Sequence, residues 1–508
     1  MTTVTVDVKS QEKSAAQATT ARFVLGVVFS ALSGLLLLLA FPPYSLWPLM
    51  WVACVPYRYA QHRLLPLKWS SLAESTALLV WLGPFMARMF GMENGPFFYF
   101  LGVFIAILVF FASRDRHFQE VTGYRWFILY GVVACVGFEM IRATFIPLVA
   151  TSAFIGYTQS TQPWITRPVS IFSVYGLNLV IMLVNFALTQ ALMSWSDRRW
   201  QFQDIVPIKS DQARRGLIVT GVILAVWLGI SLVISTTTPD MPAVRVAAIQ
   251  PGYSKPAFQD DVNTSQMRLA AFAEDARDAV RQGARIIYTP EMLFNFDPQV
   301  EFTDELRALA AELDAYLFID YTVSQEGQDW RNESVLLSPS GEFTAVYGKN
   351  EIPPGEPVTP TAGVYPVFDT PLGRLATMIC HDANYTAVAR KLAANGAQIV
   401  SAGINEFGGF GEQYWTNASF RAIENRVAMV VTSRETGSAV INPNGSLAAL
   451  DLEVNKHRVL VGDVTLGSGN APYTSLGDIL GWVSLIALIG FTVYQSIVEK
   501  RIKKAAVS

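Results

Sequence analysis

Apolar residues follow two different rhythms along this 508-residue chain. Over the first half they form long unbroken runs, at 22–40, 44–59, 72–90, 97–113, 126–146, 170–195 and 216–235. One more run, 476–498, lies near the end. A helix needs about 20 apolar residues to cross the hydrocarbon core of a bilayer, so these runs predict eight transmembrane helices. The first has no small-residue cleavage site and leads through Phe41, Pro42 and Pro43 into the next run, so it reads as an anchor and not as a removed signal.

Between the seventh and eighth runs the rhythm shortens. AVRVAAIQ (243–250) is a buried-strand pattern, and 264–283 has helical spacing that stops at Gly283. There follow a strand at 284–291, a helix at 303–313, a strand at 315–323 and a hairpin turning at 339–341. Then come a strand ending at Cys380, a helix near 386–396, a strand at 397–403, a helix at 416–427 and paired strands from 428 to 450. Strands alternating with helices predict an α/β domain with two sheets inside and helices outside. The expected organisation is a tail (1–20), a seven-helix membrane domain (21–238), an α/β catalytic domain (241–474), a closing helix (475–498) and a basic tail (499–508).

Composition agrees with a membrane protein: 51% of residues are apolar and only 16% charged. The formal net charge of -3 gives no reason to expect a nucleic-acid partner. Three cysteines, Cys54, Cys135 and Cys380, the first two inside apolar runs, exclude a disulfide framework. Lysine and arginine cluster before the first run, at 58–68, 114–125 and 198–215, and after the last run. With eight spans all five clusters fall on one side, which puts both termini in the cytoplasm and the α/β domain outside.

Polar chemistry in α/β domains gathers where strands give way to loops. Three such ends carry titratable residues: Glu291, Lys349 and Cys380. A thiol needs a base to become a nucleophile, a task suited to Glu291, while the Lys349 ammonium suits a thiolate and a tetrahedral oxyanion. Backbone N–H groups after Cys380 would complete an oxyanion hole. Each residue also has a plainer reading: inert packing for Cys380, a helix cap for Glu291, a solvated turn for Lys349. A zinc site at Cys380 and His381 is disfavoured, because no CxxC partner exists.

The Pro290-Glu291 pair, YGKNEIPPGE around Lys349 and Glu356, and MICHD around Cys380 resemble the Glu-Lys-Cys triad of the nitrilase (carbon-nitrogen hydrolase) superfamily. VAAIQP, FRAIENRVAMVVTS and TGSAVINPNGSL resemble further stretches of it. With AFPPYSLWPLMW, GFEMIRA, GYTQ and VYGLNLVIMLVN in the membrane half, essentially all of residues 21–498 is similar to the apolipoprotein N-acyltransferase family. The resemblance implies an α-β-β-α sandwich held outside a bacterial inner membrane. It also implies transfer of a fatty acyl chain from a phospholipid donor, through a cysteine thioester, to the N-terminal amine of a lipid-modified apolipoprotein. Glu291, Lys349 and Cys380 would be catalytic, and Glu356, His381 and Asp382 supporting. No cofactor or metal is implied, and a monomer is expected. Met292, Leu293, Phe294, Phe407 and Phe410 are candidates for keeping water from the thioester, or are ordinary packing.

Thr289 stands where the family carries tryptophan, and His381 and Asp382 stand where it carries tyrosine and glutamate. The loop after Lys349 is one residue short, which makes Glu351 a competitor of Glu356. At this stage a membrane-tethered amidase acting on a small substrate and a non-catalytic lipid- or lipoprotein-binding protein both remain open.

Overall fold

The computed structural model describes residues 3–89, 91–112, 115–147, 150–202, 205–252, 262–324, 329–361, 363–405 and 409–505. The chain forms two compact units: Met1–Gly137, Asn178–Val226 and Ser484–Ser508 in the first, Phe138–Leu177 and Trp227–Val483 in the second.

Six described helices are long and apolar enough to cross a membrane: Thr19–Ala40, Gly95–Val121, Phe127–Phe145, Val169–Trp200, Ser210–Thr237 and Ile479–Ile502. Two of the eight expected crossings, 44–59 and 72–90, are not among them. The run 44–59 forms no continuous helix but a 3₁₀ turn (Trp47–Trp51) and a short α-helix (Val55–Tyr59), followed by a π turn (Ala60–Leu64). Its two prolines lack backbone donors, and its sixteen residues would rise only about 24 Å against a core of about 30 Å. Helix Leu72–Met89 does form, but Glu74, Arg88 and the internal Pro84 keep it out of the six.

Within the first unit, arginines that the sequence presents as loop charge are buried and paired. Arg63 grips Asp197 with two parallel bonds, Nε to Oδ1 at 2.6 Å and one terminal nitrogen to Oδ2 at 2.8 Å. Arg58 reaches Asp115 at 3.1 Å and Glu74 at 3.4 Å. A buried guanidinium survives only with such partners, so these residues hold the unit together as well as adding to the basic balance of their loops.

In the second unit two six-stranded sheets stack. The strands are β1 (Ala243–Gln250), β2 (Ile286–Tyr288), β3 (Tyr316–Val323), β4 (Arg331–Leu337), β5 (Tyr347–Gly348), β6 (Phe368–Thr370), β7 (Gly373–Ile379), β8 (Ile399–Ile404), β9 (Ala428–Ser433), β10 (Ser438–Ile441), β11 (Leu447–Asp451) and β12 (Arg458–Thr465). One sheet runs β12-β1-β2-β3-β4-β5 and the other β11-β10-β9-β8-β7-β6. The edge strands β6 and β12 have no counterpart in the sequence reading. Strand β12 pairs antiparallel along all of β1, and its half-exposed residues, interrupted by Gly462 and Asp463, give little alternation to read.

Most strands are apolar on both faces because both faces are covered. Ala247 and Ile249 of β1 lie in a core with Phe272, Ala276, Leu306 and Leu309 of helices α1 (Val262–Arg281) and α2 (Thr303–Leu313). Val246 and Ala248, one residue out of phase, meet Ile399, Val430 and Val440 of the other sheet. That sheet's outer face packs on α3 (Thr386–Ala394) and α4 (Phe410–Asn425). The result is the expected α-β-β-α sandwich, in which β2 and β7 end on buried turns.

Gly403 on β8 shows how tight the packing is at those ends. A methyl group there would sit 1.9 Å from Asp320 Oδ2 and 2.9 Å from the backbone nitrogen of Glu291. Gly403→Ala therefore costs on the order of 2 kcal/mol by overpacking, read as a lower melting temperature of the purified protein. Gly221→Ala, where an added methyl meets nothing within 4 Å, leaves the melting temperature unchanged or slightly raised. Equal tolerance at both positions would contradict the packing.

Candidate active site

Strand β2 delivers Glu291 through Thr289 and Pro290, and the loop after β5 delivers Lys349. Both are buried, with relative exposures of 2% and 1%. Lys349 Nζ stands 2.9 Å from Glu291 Oε1 and 2.9 and 2.7 Å from the two carboxylate oxygens of Glu356. Asn332, on the strand between them, donates Nδ2–H to the same Glu291 oxygen at 2.7 Å and accepts the Lys349 backbone N–H. Burial opposes the ammonium charge, but Glu291, Cys380 and Glu356 outweigh it and hold Lys349 well above the usual lysine range. Burial also raises the Glu356 carboxyl, with Glu291 adding to the rise and Lys349 opposing it.

Cys380 opens a 3₁₀ turn, Cys380–Asn384, at the end of β7. It is buried, and its φ of +46° lies in the left-handed region, which a side chain makes costly by roughly 1–2 kcal/mol. The bend turns the chain sharply out of the sheet. Its sulfur is 3.6 Å from the Tyr414 hydroxyl on α4, and its charge counts among those that raise Lys349. Glu291, Lys349 and Glu356 are thus joined by direct hydrogen bonds, and Cys380 acts on Lys349 through charge. Glu351 does not supply the second carboxylate on the ammonium; its backbone N–H is bound to Asp382 instead.

Asp382 fastens the cysteine turn to the lysine loop. It accepts the Tyr347 hydroxyl at 2.6 Å and the backbone N–H groups of Ile379, Asn350 and Glu351 at 3.0, 3.2 and 2.7 Å. Burial raises its carboxyl to about 6, against these hydrogen bonds and Lys349. His381 points elsewhere. Its Nε2 lies 3.0 Å from the Pro147 carbonyl, which can only accept, so Nε2 carries the proton. Its Nδ1 then accepts from Asn384 Nδ2 at 3.1 Å. This is a neutral imidazole in one tautomer, and burial lowers its pKa to about 4.

Several residues of the site carry no sequence signal of their own. Arg434, just after β9, donates to the backbone carbonyls of Glu291, at 2.9 Å, and of Met292. Asp320 lies beneath Glu291, and burial, then Glu291, raises its carboxyl well above the usual range. Asn332, Asn384 and Tyr414 are polar residues at positions the apolar pattern marks as interior, the one clue available to a reader of the chain. Of the candidate water-excluding residues, Met292, Leu293 and Phe294 are buried, the last two within the first sheet's helix-covered core. Phe410 packs on the second sheet's core, and Phe407 lies outside the described residues.

The carbon-nitrogen hydrolase family model matches residues 245–471. The model of the apolipoprotein N-acyltransferase N-terminal domain matches residues 33–187. The chain belongs to the apolipoprotein N-acyltransferase family. Similarity to that family runs the length of the chain: the apolipoprotein N-acyltransferase of Geobacter metallireducens is 24% identical over 90% of this chain and 92% of its own. Human deaminated glutathione amidase is 27% identical over 43% of this chain and 76% of its own. An amidase from Nesterenkonia sp. superposes on 44% of this chain and 90% of its own, at 23% identity and a TM-score of 0.38. As a family member with six helices of membrane-crossing length among the described residues, the chain is a multi-pass membrane protein.

The state of His381 predicts an acid limb of stability. The unfolded histidine takes up a proton near pH 6.5, whereas the folded one does so only near pH 4. Stability from this group is therefore complete above pH 6.5 and is lost as pH falls toward 4. Between pH 7 and pH 5 the loss is about 2 kcal/mol. In denaturant titrations of detergent-purified protein, His381→Asn loses about that much less over the same interval. Equal losses in parent and variant would place the acid-sensitive group elsewhere.

Proposed function

We propose that this chain moves a fatty acyl group from a membrane phospholipid, through a thioester on Cys380, to the free α-amine of a diacylglyceryl-cysteine at a lipoprotein's N-terminus. The observation that carries this reading is similarity to an N-acyltransferase over 90% of the chain, where the human amidase matches 43% of it. In this reading Glu291, Lys349 and Cys380 act as a triad, which the direct Lys349–Glu291 bond and the charge coupling of Cys380 to Lys349 support. Glu291 takes the thiol proton, and the Cys380 thiolate attacks the phospholipid ester carbonyl. The tetrahedral oxyanion is stabilised by the Lys349 ammonium. As it collapses, the ester C–O bond breaks and the lysophospholipid alkoxide leaves with the proton from Glu291. The acceptor amine then attacks the thioester, Glu291 takes its proton, and the thiolate departs as the amide forms.

Glu356 keeps the ammonium charged and in place between these steps. Both substrates are lipid-anchored, so a site beside the bilayer confines their encounter to two dimensions and holds the reacting groups at high effective concentration. With the six helices as crossings, four of the five basic clusters, all but 58–68, still share one side, which supports cytoplasmic termini and an α/β domain on the outer side of the bacterial inner membrane. Burial of the triad limits the access of water, which would otherwise hydrolyse the thioester.

Detergent-purified protein incubated with a fluorescent-acyl phospholipid acquires a hydroxylamine-labile label, which moves to the amine of an added diacylglyceryl-cysteine peptide. Cys380→Ser forms no adduct while expressing normally, and Glu291→Gln slows labelling by about 10²- to 10⁴-fold. Release of free fatty acid without transfer, or of ammonia from small amides, would instead establish a hydrolase. Undiminished labelling of Cys380→Ser would remove the cysteine from the mechanism.

A further inference from the structure

One arginine at the end of a crossing helix has no anionic partner in the fold. Arg142 stands in the last turn of the helix Phe127–Phe145. Charged residues inside crossing helices are costly, and they mark substrate paths unless they are paired. The Arg142 guanidinium lies over the buried Phe154 ring, 5.3 Å from its centroid, so an aromatic face holds it against the protein. Among the described residues no hydrogen bond or ion pair reaches it. Glu139, one turn earlier, instead accepts the Ile155 backbone N–H at 3.1 Å. A guanidinium carries five donors in a rigid fork, so Arg142 keeps the geometry that suits two oxygens of one anion.

Two further observations say which anion. Phe138 and Phe145 share the Arg142 stripe of the helix and are 58% and 65% exposed. On a crossing helix such a stripe meets acyl chains, so the cation is set within a lipid-facing surface. The loop that follows the helix rests on the cysteine turn. The Pro147 carbonyl accepts Nε2–H of His381 at 3.0 Å, and the Thr151 hydroxyl donates to the Asn384 carbonyl at 2.7 Å.

We propose that Arg142 binds the phosphate of the donor phospholipid, with the lipid's acyl chains against Phe138 and Phe145. This rests on the reading of Cys380 as the group that takes an acyl chain from a phospholipid. The phosphate and the ester carbonyl hang from one glycerol unit, a few bonds apart. A group that fixes the phosphate next to the loop carrying Pro147 and Thr151 therefore also limits where the carbonyl lies relative to the cysteine turn. Charge-assisted bonds from a guanidinium to a phosphate are strong and two-pronged, and the low dielectric at the bilayer surface strengthens them. Arg142 makes and breaks no covalent bond, and the same contact holds the lysophospholipid until it leaves.

The test reads binding apart from acyl transfer. Detergent-purified full-length protein is titrated with a fluorescent dialkyl-ether phospholipid, which has no ester to attack, and with the matching dialkylglycerol, which has no phosphate. Arg142→Gln weakens binding of the ether phospholipid about 10- to 100-fold and leaves the dialkylglycerol unchanged, and Arg142→Lys weakens the phospholipid by less. In turnover with an ester phospholipid, Arg142→Gln raises the donor KM by a similar factor. Undiminished phospholipid binding in Arg142→Gln, or equal weakening of both lipids, would overturn the proposal. Displacement of the ether phospholipid by inorganic phosphate alone would assign Arg142 to a soluble phosphate and overturn the lipid assignment. If Cys380→Ser retained acyl transfer, the catalytic reading would fail, whereas ether-lipid binding tests Arg142 by itself.

Discussion

A lysine ammonium buried between two carboxylates is the constraint around which the α/β domain is organised. Desolvating one ion costs several kcal/mol, and the cost is offset only where partners lie at hydrogen-bond distance. Lys349 meets that condition with three oxygens within 2.9 Å, and the condition dictates much else. Glu291 must arrive on the turn after β2, Glu356 must fold back from the loop beyond Lys349, and Asn332 must sit between them. Loss of Lys349 would leave the Glu291 and Glu356 carboxylates without their ammonium partner, so the arrangement is structural before it is catalytic. The same geometry gives the site its chemistry: a base and a fixed positive charge that need no rearrangement when negative charge develops.

The second constraint is the bend at Cys380. A strand that ran on would leave the sulfur inside the sheet, whereas the left-handed residue swings it out toward Tyr414. Such strain persists only when its surroundings hold it, and Asp382 does so by binding Ile379 behind the bend and Asn350 and Glu351 beyond Lys349. The turn and the lysine loop are therefore joined through a single carboxylate. In this chain His381 and Asp382 are both committed to holding backbone.

In the first unit charge is also turned to structure. Arg58 and Arg63 stand in a segment too short and too proline-rich to span a bilayer as a helix, and their ion pairs with Asp115 and Asp197 tie that segment to helices far away in the chain. A hydropathy reading sees such a run as one more crossing, because apolar content is local while helix continuity depends on where prolines fall and on what the buried charges meet.

The amino-acid sequence alone determined the class of the protein, the sandwich and its most chemical residues. Apolar runs and alternation are properties of neighbouring residues, and the motifs at Glu291, Lys349 and Cys380 are each contained in a few positions. Whether Glu356 or Glu351 joins the ammonium was decided only by tertiary structure, as was the single tautomer of His381. So too was the placement of Asn332, Asn384, Arg434 and Tyr414, along with the edge strands β6 and β12. These depend on contacts between segments distant in the chain, where a polar residue at an interior position shows that a partner exists but not which one.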